Sequence, residues 1–250
     1  MDPLDVLAVC TGNICRSALT EYYLKNSLDG DRFIVHSAGT HAVQDGHVPP
    51  PQVAIAHRLG LTNITDHIAQ QISRAQILKA DLILTATLQH RRRVVRMAPS
   101  AAKYTFTLRE FAHLSSRVEE NDVVELMANG VAFPGIPAAA AHQLRGLVTP
   151  PKDKRAYDVV DPFGADAQTY DTSATQILSA LQVIVPYLEK VASITGHSNT
   201  SGAKIRGKHS YDPLDPEQSD IREQITARMR EQRASGESPT RRRRAPFSQS

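Results

Sequence analysis

Cys10 and Arg16 stand five residues apart in Val6-Leu-Ala-Val-Cys-Thr-Gly-Asn-Ile-Cys-Arg-Ser17, and a thiol and a guanidinium at that spacing suit chemistry on an oxyanion. The apolar run Val6–Val9 reads as a buried strand and Ser17 onward as a helix. Residues 11 to 16 must therefore wrap from a strand end to a helix start. Gly12 and Asn13 tolerate positive φ, which permits a tight concave loop. Such a loop turns successive N–H groups inward as an anion nest, with the positive end of the helix dipole behind it. Arg16 adds a planar fork that grips two oxygens at once. A thiol at the base of this cradle is expected to ionise easily, since helix N-termini and nearby cations lower cysteine pKa to about 3.5–7.5. Cys10 is thus the candidate nucleophile, and Thr11, Gly12, Asn13, Ile14, Cys15, Arg16 and Ser17 are the candidate phosphate ligands. The spacing by itself is weak, and free cysteines commonly end in the core. The strand, the Gly-Asn and the Arg-Ser helix start together favour the functional reading.

An ester leaving group needs a proton, and a positioned acid contributes roughly 10²–10⁴-fold. Asp161 in Val159-Val-Asp-Pro-Phe-Gly164 is the leading candidate, because Pro162 fixes the backbone just after the carboxylate. The dipeptide alone reads as an ordinary turn.

The elements that must hold these groups alternate. Strands are expected at Val6–Val9, Phe33–Val35, Asp81–Thr85 and Tyr104–Phe106. Helices are expected at Ser17–Leu28, Gln52–Leu59 (with Gly60 as its terminator), a basic segment reaching Met97 before Pro99, and Thr169–Ile194, interrupted or kinked near Pro186. Alternation of this kind predicts a three-layer α/β/α fold on a central, mostly parallel four-stranded sheet, with the phosphate loop after the first strand. Between residues 112 and 151, Glu119–Met127 and Ala138–Leu147 read as helices around a Pro134-Gly-Ile-Pro137 turn, a helical elaboration.

Composition narrows the class. The chain has 250 residues, 41% apolar and 22% charged, which is globular usage. Two cysteines exclude a disulfide scaffold and a four-thiolate zinc site. Ile177–Leu188, the longest nearly apolar stretch, has 12 residues where a spanning helix needs about 20, so no membrane span is expected. The N-terminal Met-Asp-Pro-Leu-Asp lacks a signal-peptide pattern, and a reducing cytoplasm is the expected location. Residues 1–195 carry 18 Lys and Arg against 19 Asp and Glu, and residues 196–250 carry 11 against 7. The body is therefore not a nucleic-acid footprint. The tail, with its Arg241–Arg244 run and a short helix expected within Pro216–Arg233, reads as a disordered, solubilising segment. Contact with an acidic partner, anionic lipid or RNA is its alternative.

The sequence resembles the low-molecular-weight protein tyrosine phosphatases. The resemblance rests on Val9–Ser17, Ser37-Ala-Gly-Thr40, His67-x-Ala69-x-Gln71, Ala80–Leu84 and Asp161–Phe163, in the family's order across residues 6 to about 190. It implies a phosphoryl-cysteine intermediate on Cys10, phosphate held by Arg16 and the loop amides, and Asp161 as acid and then base. It also implies loop support from Asn13, Ser37 and His67, a Ser17 hydroxyl donating to the thiolate, and a reversible Cys10–Cys15 disulfide under oxidant. No metal or cofactor is implied. His41 and Phe163 are the expected pocket walls, in a mouth stiffened by Pro49–Pro51. A phosphotyrosine protein, for example a bacterial tyrosine kinase, is the implied partner, and the oligomeric state stays open. The chain departs from the family at Ala18, at Ala86-Thr87 and at Gly164. Two alternatives share the scaffold: an arsenate reductase using a small external thiol, and a non-enzymatic phosphate-binding module. A relay through further cysteines is excluded by their absence.

Overall fold

Among the described residues four short strands pair entirely in parallel, in the order β2-β1-β3-β4. They are β1 (Leu4–Cys10), β2 (Phe33–Gly39), β3 (Leu82–Thr85) and β4 (Thr105–Thr107). Among the described residues eight α-helices accompany them: α1 (Arg16–Ser27), α2 (Pro50–Arg58), α3 (Arg74–Lys79), α4 (Leu88–Met97), α5 (Leu108–Ser115), α6 (Glu120–Ala128), α7 (Ile136–Leu144) and α8 (Ala167–Ile194). The computed structural model describes residues 2–196. The expectations for the tail beyond residue 196 lie outside the described residues.

Strand alternation divides the core into two layers. Leu4 and Val6 of β1, with Leu82 and Leu84 of β3, face a large cluster that includes Leu19, Phe111, Ile177, Leu181 and Leu188. Leu7, Val9 and Ile83 point the other way, onto Ile72, Ile77, Val94 and Ala101. Both sheet faces are covered, as near-continuous apolar strands require. Register places Cys10 opposite Gly39 and Val9 opposite Thr85. The C-terminal ends of β1, β2 and β3 therefore meet at one edge. Successive strands lie to either side of β1 there, the switch point at which open α/β sheets bind ligands.

Three expectations are revised. β2 runs four residues beyond Val35, to Gly39. α5 was not expected at all, although Thr107 and Glu110 form a reciprocal capping box at its start. The 112–151 segment begins inside α5, and its other two helices contribute Val123, Leu126, Ile136, Ala140 and Ala141 to the main core. Arg145, just after α7, reaches back to Glu110 (3.0 Å) and stacks 4.2 Å from the Phe106 ring centre. α8 runs 28 residues unbroken through Pro186, rather than being interrupted there. By length and composition it would suffice to cross a membrane, and half of its most apolar window is buried. The buried stripe Ile177, Leu181, Ile184, Leu188 and Val191 gives it the pattern of a core helix.

Candidate active site

The loop from Cys10 to Arg16 closes over the N-terminus of α1. Asn13 takes the left-handed backbone conformation (φ 57°), so the turn falls on Asn13 and not on Gly12. Asn13 is fully buried, and its side chain organises the loop. Its Nδ2 donates to Ser17 Oγ (2.9 Å) and to Ser37 Oγ (2.7 Å), while Oδ1 accepts from the Gln70 N–H (2.8 Å). Ser37 Oγ donates to Glu21 Oε2 at 2.5 Å. His67 Nε2 meets the Asn13 carbonyl at 2.6 Å, and its Nδ1 lies 3.7 Å from the same Glu21 oxygen. Buried polar groups of this kind hold position only when each is satisfied.

Cys10 Sγ, buried, receives the Asn13 N–H at 3.3 Å and lies 3.0 Å from Ser17 Oγ. Both are placed to donate to a negative sulfur. Cys15 is also a free, buried thiol. Burial and then the charge of Cys10 push it up to about 12, so it stays protonated at neutral pH.

Arg16 is buried, and two contacts and one unpartnered nitrogen define its state. Nη1 donates to the Val159 carbonyl (3.3 Å), Nη2 pairs with Asp161 Oδ2 at 2.6 Å, and Nε has no hydrogen-bond partner. The Asp161 segment is tied down from several sides. Val159 N–H bonds to the Ala86 carbonyl (2.8 Å), Val160 N–H to Gln176 Oε1 (2.9 Å), and Asp158 Oδ1 accepts from Leu88 N–H (2.7 Å). The Asp161 side chain remains 53% exposed, so its ion pair with Arg16 is open to water and to an incoming ligand.

The wall residues gather at the same edge. The His41 N–H bonds to the Thr11 carbonyl (3.0 Å), and Val43 N–H to the Gly12 carbonyl (3.1 Å), which backs the loop with the 41–51 segment. Phe163 is 63% exposed beside Asp161. Gly39 is obligatory here: a Cβ would lie 2.5 Å from the Thr11 carbonyl oxygen.

Sequence reasoning missed two residues. Glu21, one turn after Ser17, was not singled out; it is buried among Ser37, His67 and Lys25. His90 lay hidden in an arginine run. It is buried, and its rings nitrogens meet Thr11 Oγ1 and Thr87 Oγ1, each at 2.8 Å. Burial, with help from nearby Arg16, lowers its pKa to about 4. Among the described residues no three His, Cys, Asp or Glu converge on a metal-sized point.

Residues 5–133 match the family model of the low molecular weight phosphotyrosine protein phosphatases. The match covers the loop and its supports and ends before Asp161. The chain is 31% identical over 104 residues to the low molecular weight protein-tyrosine-phosphatase Ptp of Acinetobacter johnsonii, covering 42% of this chain and 71% of the relative. It is 38% identical over 97 residues to Wzb of Escherichia coli K12, where the alignment spans 38% of this chain and 63% of the relative. The YwlE arginine phosphatase of Geobacillus stearothermophilus shares the fold, with a TM-score of 0.55 over 76% of this chain and 96% of that one, at 22% identity. The matched span holds the Cys10 loop, Ser37 and His67 in the arrangement just described, and on it this chain belongs to the low molecular weight phosphotyrosine protein phosphatase family.

Proposed function

We propose that the protein is a phosphotyrosine phosphatase working through a phosphoryl-cysteine intermediate on Cys10. The observation that carries this is the convergence of one sulfur, one buried guanidinium and one half-exposed carboxylate at the mouth of an amide-lined loop. The bound phosphate dianion takes the place of Asp161 on Arg16, whose Nε is also free to meet a phosphoryl oxygen. Asp161, displaced towards the mouth, takes up a proton from solvent; Cys10 Sγ then attacks phosphorus in line as the P–O bond to the tyrosyl oxygen breaks, and Asp161 passes that proton to the leaving oxygen. The resulting carboxylate takes a proton from the water that attacks phosphorus. Phosphate leaves and the sulfur regains its electron pair. Loop amides, the α1 dipole and Arg16 stabilise the equatorial oxygens throughout. Phe163 and His41 flank the tyrosyl ring. The substrate on this reading is a phosphotyrosine protein, a bacterial tyrosine kinase among them, and the site of action is the reducing cytoplasm, where a thiol nucleophile survives.

A substrate panel tests this. The full chain is expected to hydrolyse phosphotyrosine peptides and aryl phosphates, with phosphoserine, phosphoarginine and arsenate plus thiol as comparison arms. Cys10→Ser is expected to abolish turnover while retaining phosphate-analogue binding. Faster turnover of phosphoarginine or arsenate, or activity retained by Cys10→Ser, overturns it.

A further inference from the structure

α4 has the sequence Leu88-Gln-His-Arg-Arg-Arg-Val-Val-Arg-Met97, with four arginines and no acid. His90 and Val94 are buried and define its inner face. At 100° per residue, Arg92 and Arg96 then fall on the outward side and Arg93 on the flank opposite Arg91, and all three are exposed. Arg91 turns to the flank, where its Nε donates to the Thr105 carbonyl at 2.9 Å. Among the described residues Arg92, Arg93 and Arg96 have no side-chain hydrogen bond or ion pair. Arg92 and Arg96 are like charges at i, i+4, a pairing that destabilises a helix. Nothing in residues 2–196 offsets that cost, and the stripe stands on a body with near-balanced charge.

Its position is informative. α4 begins where β3 ends, at the edge that carries the Cys10 loop, and His90 Nε2 ties its first turn to Thr11 Oγ1 at 2.8 Å. At 1.5 Å rise per residue, Arg92 to Arg96 lie about 6 to 12 Å along the axis from the start of α4, the reach of about two to four extended residues. We propose that the Arg92–Arg93–Arg96 face of α4 docks an acidic segment of the protein substrate, within about four residues of the phosphorylated one. This deepens the phosphatase reading and rests on it. Complementary charge at such a rim governs encounter and selectivity. An acidic peptide suits the stripe better than a nucleic acid, because α4 exposes no aromatic ring on which a base could stack.

The experiment compares the full chain with the triple variant Arg92→Gln/Arg93→Gln/Arg96→Gln, and with the corresponding glutamate triple. The substrates are a phosphotyrosine peptide with three flanking glutamates, the same peptide with serines, and a small aryl phosphate. Expected is a loss of about tenfold in kcat/KM, carried by KM, for the glutamate peptide alone, larger in the glutamate triple and shrinking as salt rises. Unchanged small-substrate turnover shows that the variants fold. An equal loss on all three substrates, or no loss on any, overturns the docking surface and leaves the phosphatase standing. If the wild-type chain hydrolyses none of the three, the phosphatase reading fails. Docking is then read from anisotropy of the same peptides on Cys10→Ser: weaker binding of the glutamate peptide alone in the triple variant upholds it, and equal binding overturns it. Preference of the stripe for an oligouridine over the glutamate peptide also overturns it.

Discussion

Asp161 and Arg16 hold each other at 2.6 Å across the place that the proposed mechanism gives to a phosphoryl group. Removing the carboxylate is expected to do two opposite things. Asp161→Asn frees Arg16 and removes a like charge, so affinity for inorganic phosphate rises about tenfold. Turnover of esters with poor leaving groups falls by about 10²–10⁴, and esters with good leaving groups slow less. Inhibition constants and a leaving-group series check both, and unchanged phosphate affinity with uniform slowing would place the acid elsewhere. His90 makes a second residue-scale prediction. Its pKa lies near 4 in the folded state against an ordinary 6.5, so the unfolded chain binds more protons between those values. Its contribution to stability is fully present above about pH 6.5 and lost as pH falls towards 4, amounting to up to about 3 kcal/mol. Denaturant unfolding of His90→Gln is expected to show a shallower decline over that window than wild type. Parallel declines would contradict it.

At the scale of elements, the loop depends on β2 coming close to it. Gly39→Ala would set a methyl 2.5 Å from the Thr11 carbonyl oxygen and 2.9 Å from Ala42 Cα, both backbone atoms that do not yield cheaply. A cost of about 1–3 kcal/mol in stability, together with a fall in kcat/KM, is expected from thermal unfolding and steady-state kinetics. Wild-type values in both would show that the backbone shifts freely there. This contact also marks what the sequence could and could not disclose. The Cys10–Ser17 segment was legible because its chemistry is local: strand, turn residues and helix start lie within 12 consecutive positions. The partners that brace it come from far along the chain, His90 to Thr11 across 79 residues and His67 to Asn13 across 54. Glu21 and His90 were missed because each sits in a polar helix whose inner face reveals itself only once the sheet is in place. α5 was not expected although its capping box is written in Thr107 and Glu110, because it has only eight residues and follows β4 with no intervening loop. β2 was read too short because His36 and Ser37 interrupt its apolar run, and both are used: His36 faces Asp5 at 2.5 Å and Ser37 supports the loop.

At the scale of the described molecule, a parallel sheet buried on both faces presents one edge where three strand ends meet, and Cys10, Arg16 and Asp161, the reactive groups of the proposed mechanism, lie there. Asp161 reaches that edge from 145 residues beyond Arg16, carried by a segment pinned between Ala86, Leu88 and Gln176 and followed by α8. The long helix and the β-sheet core thus set the acid's position as much as its own turn does. The account stands on the sulfur of Cys10 accepting phosphorus from the substrate. The direct measurement is rapid acid quench of Asp161→Asn during turnover of an aryl phosphate, followed by intact-mass and peptide analysis. The account predicts one added phosphoryl group, located on the peptide containing Cys10 and absent in Cys10→Ser. Turnover with no phosphorus on that cysteine at any quench time, or phosphorus on another residue, would contradict it.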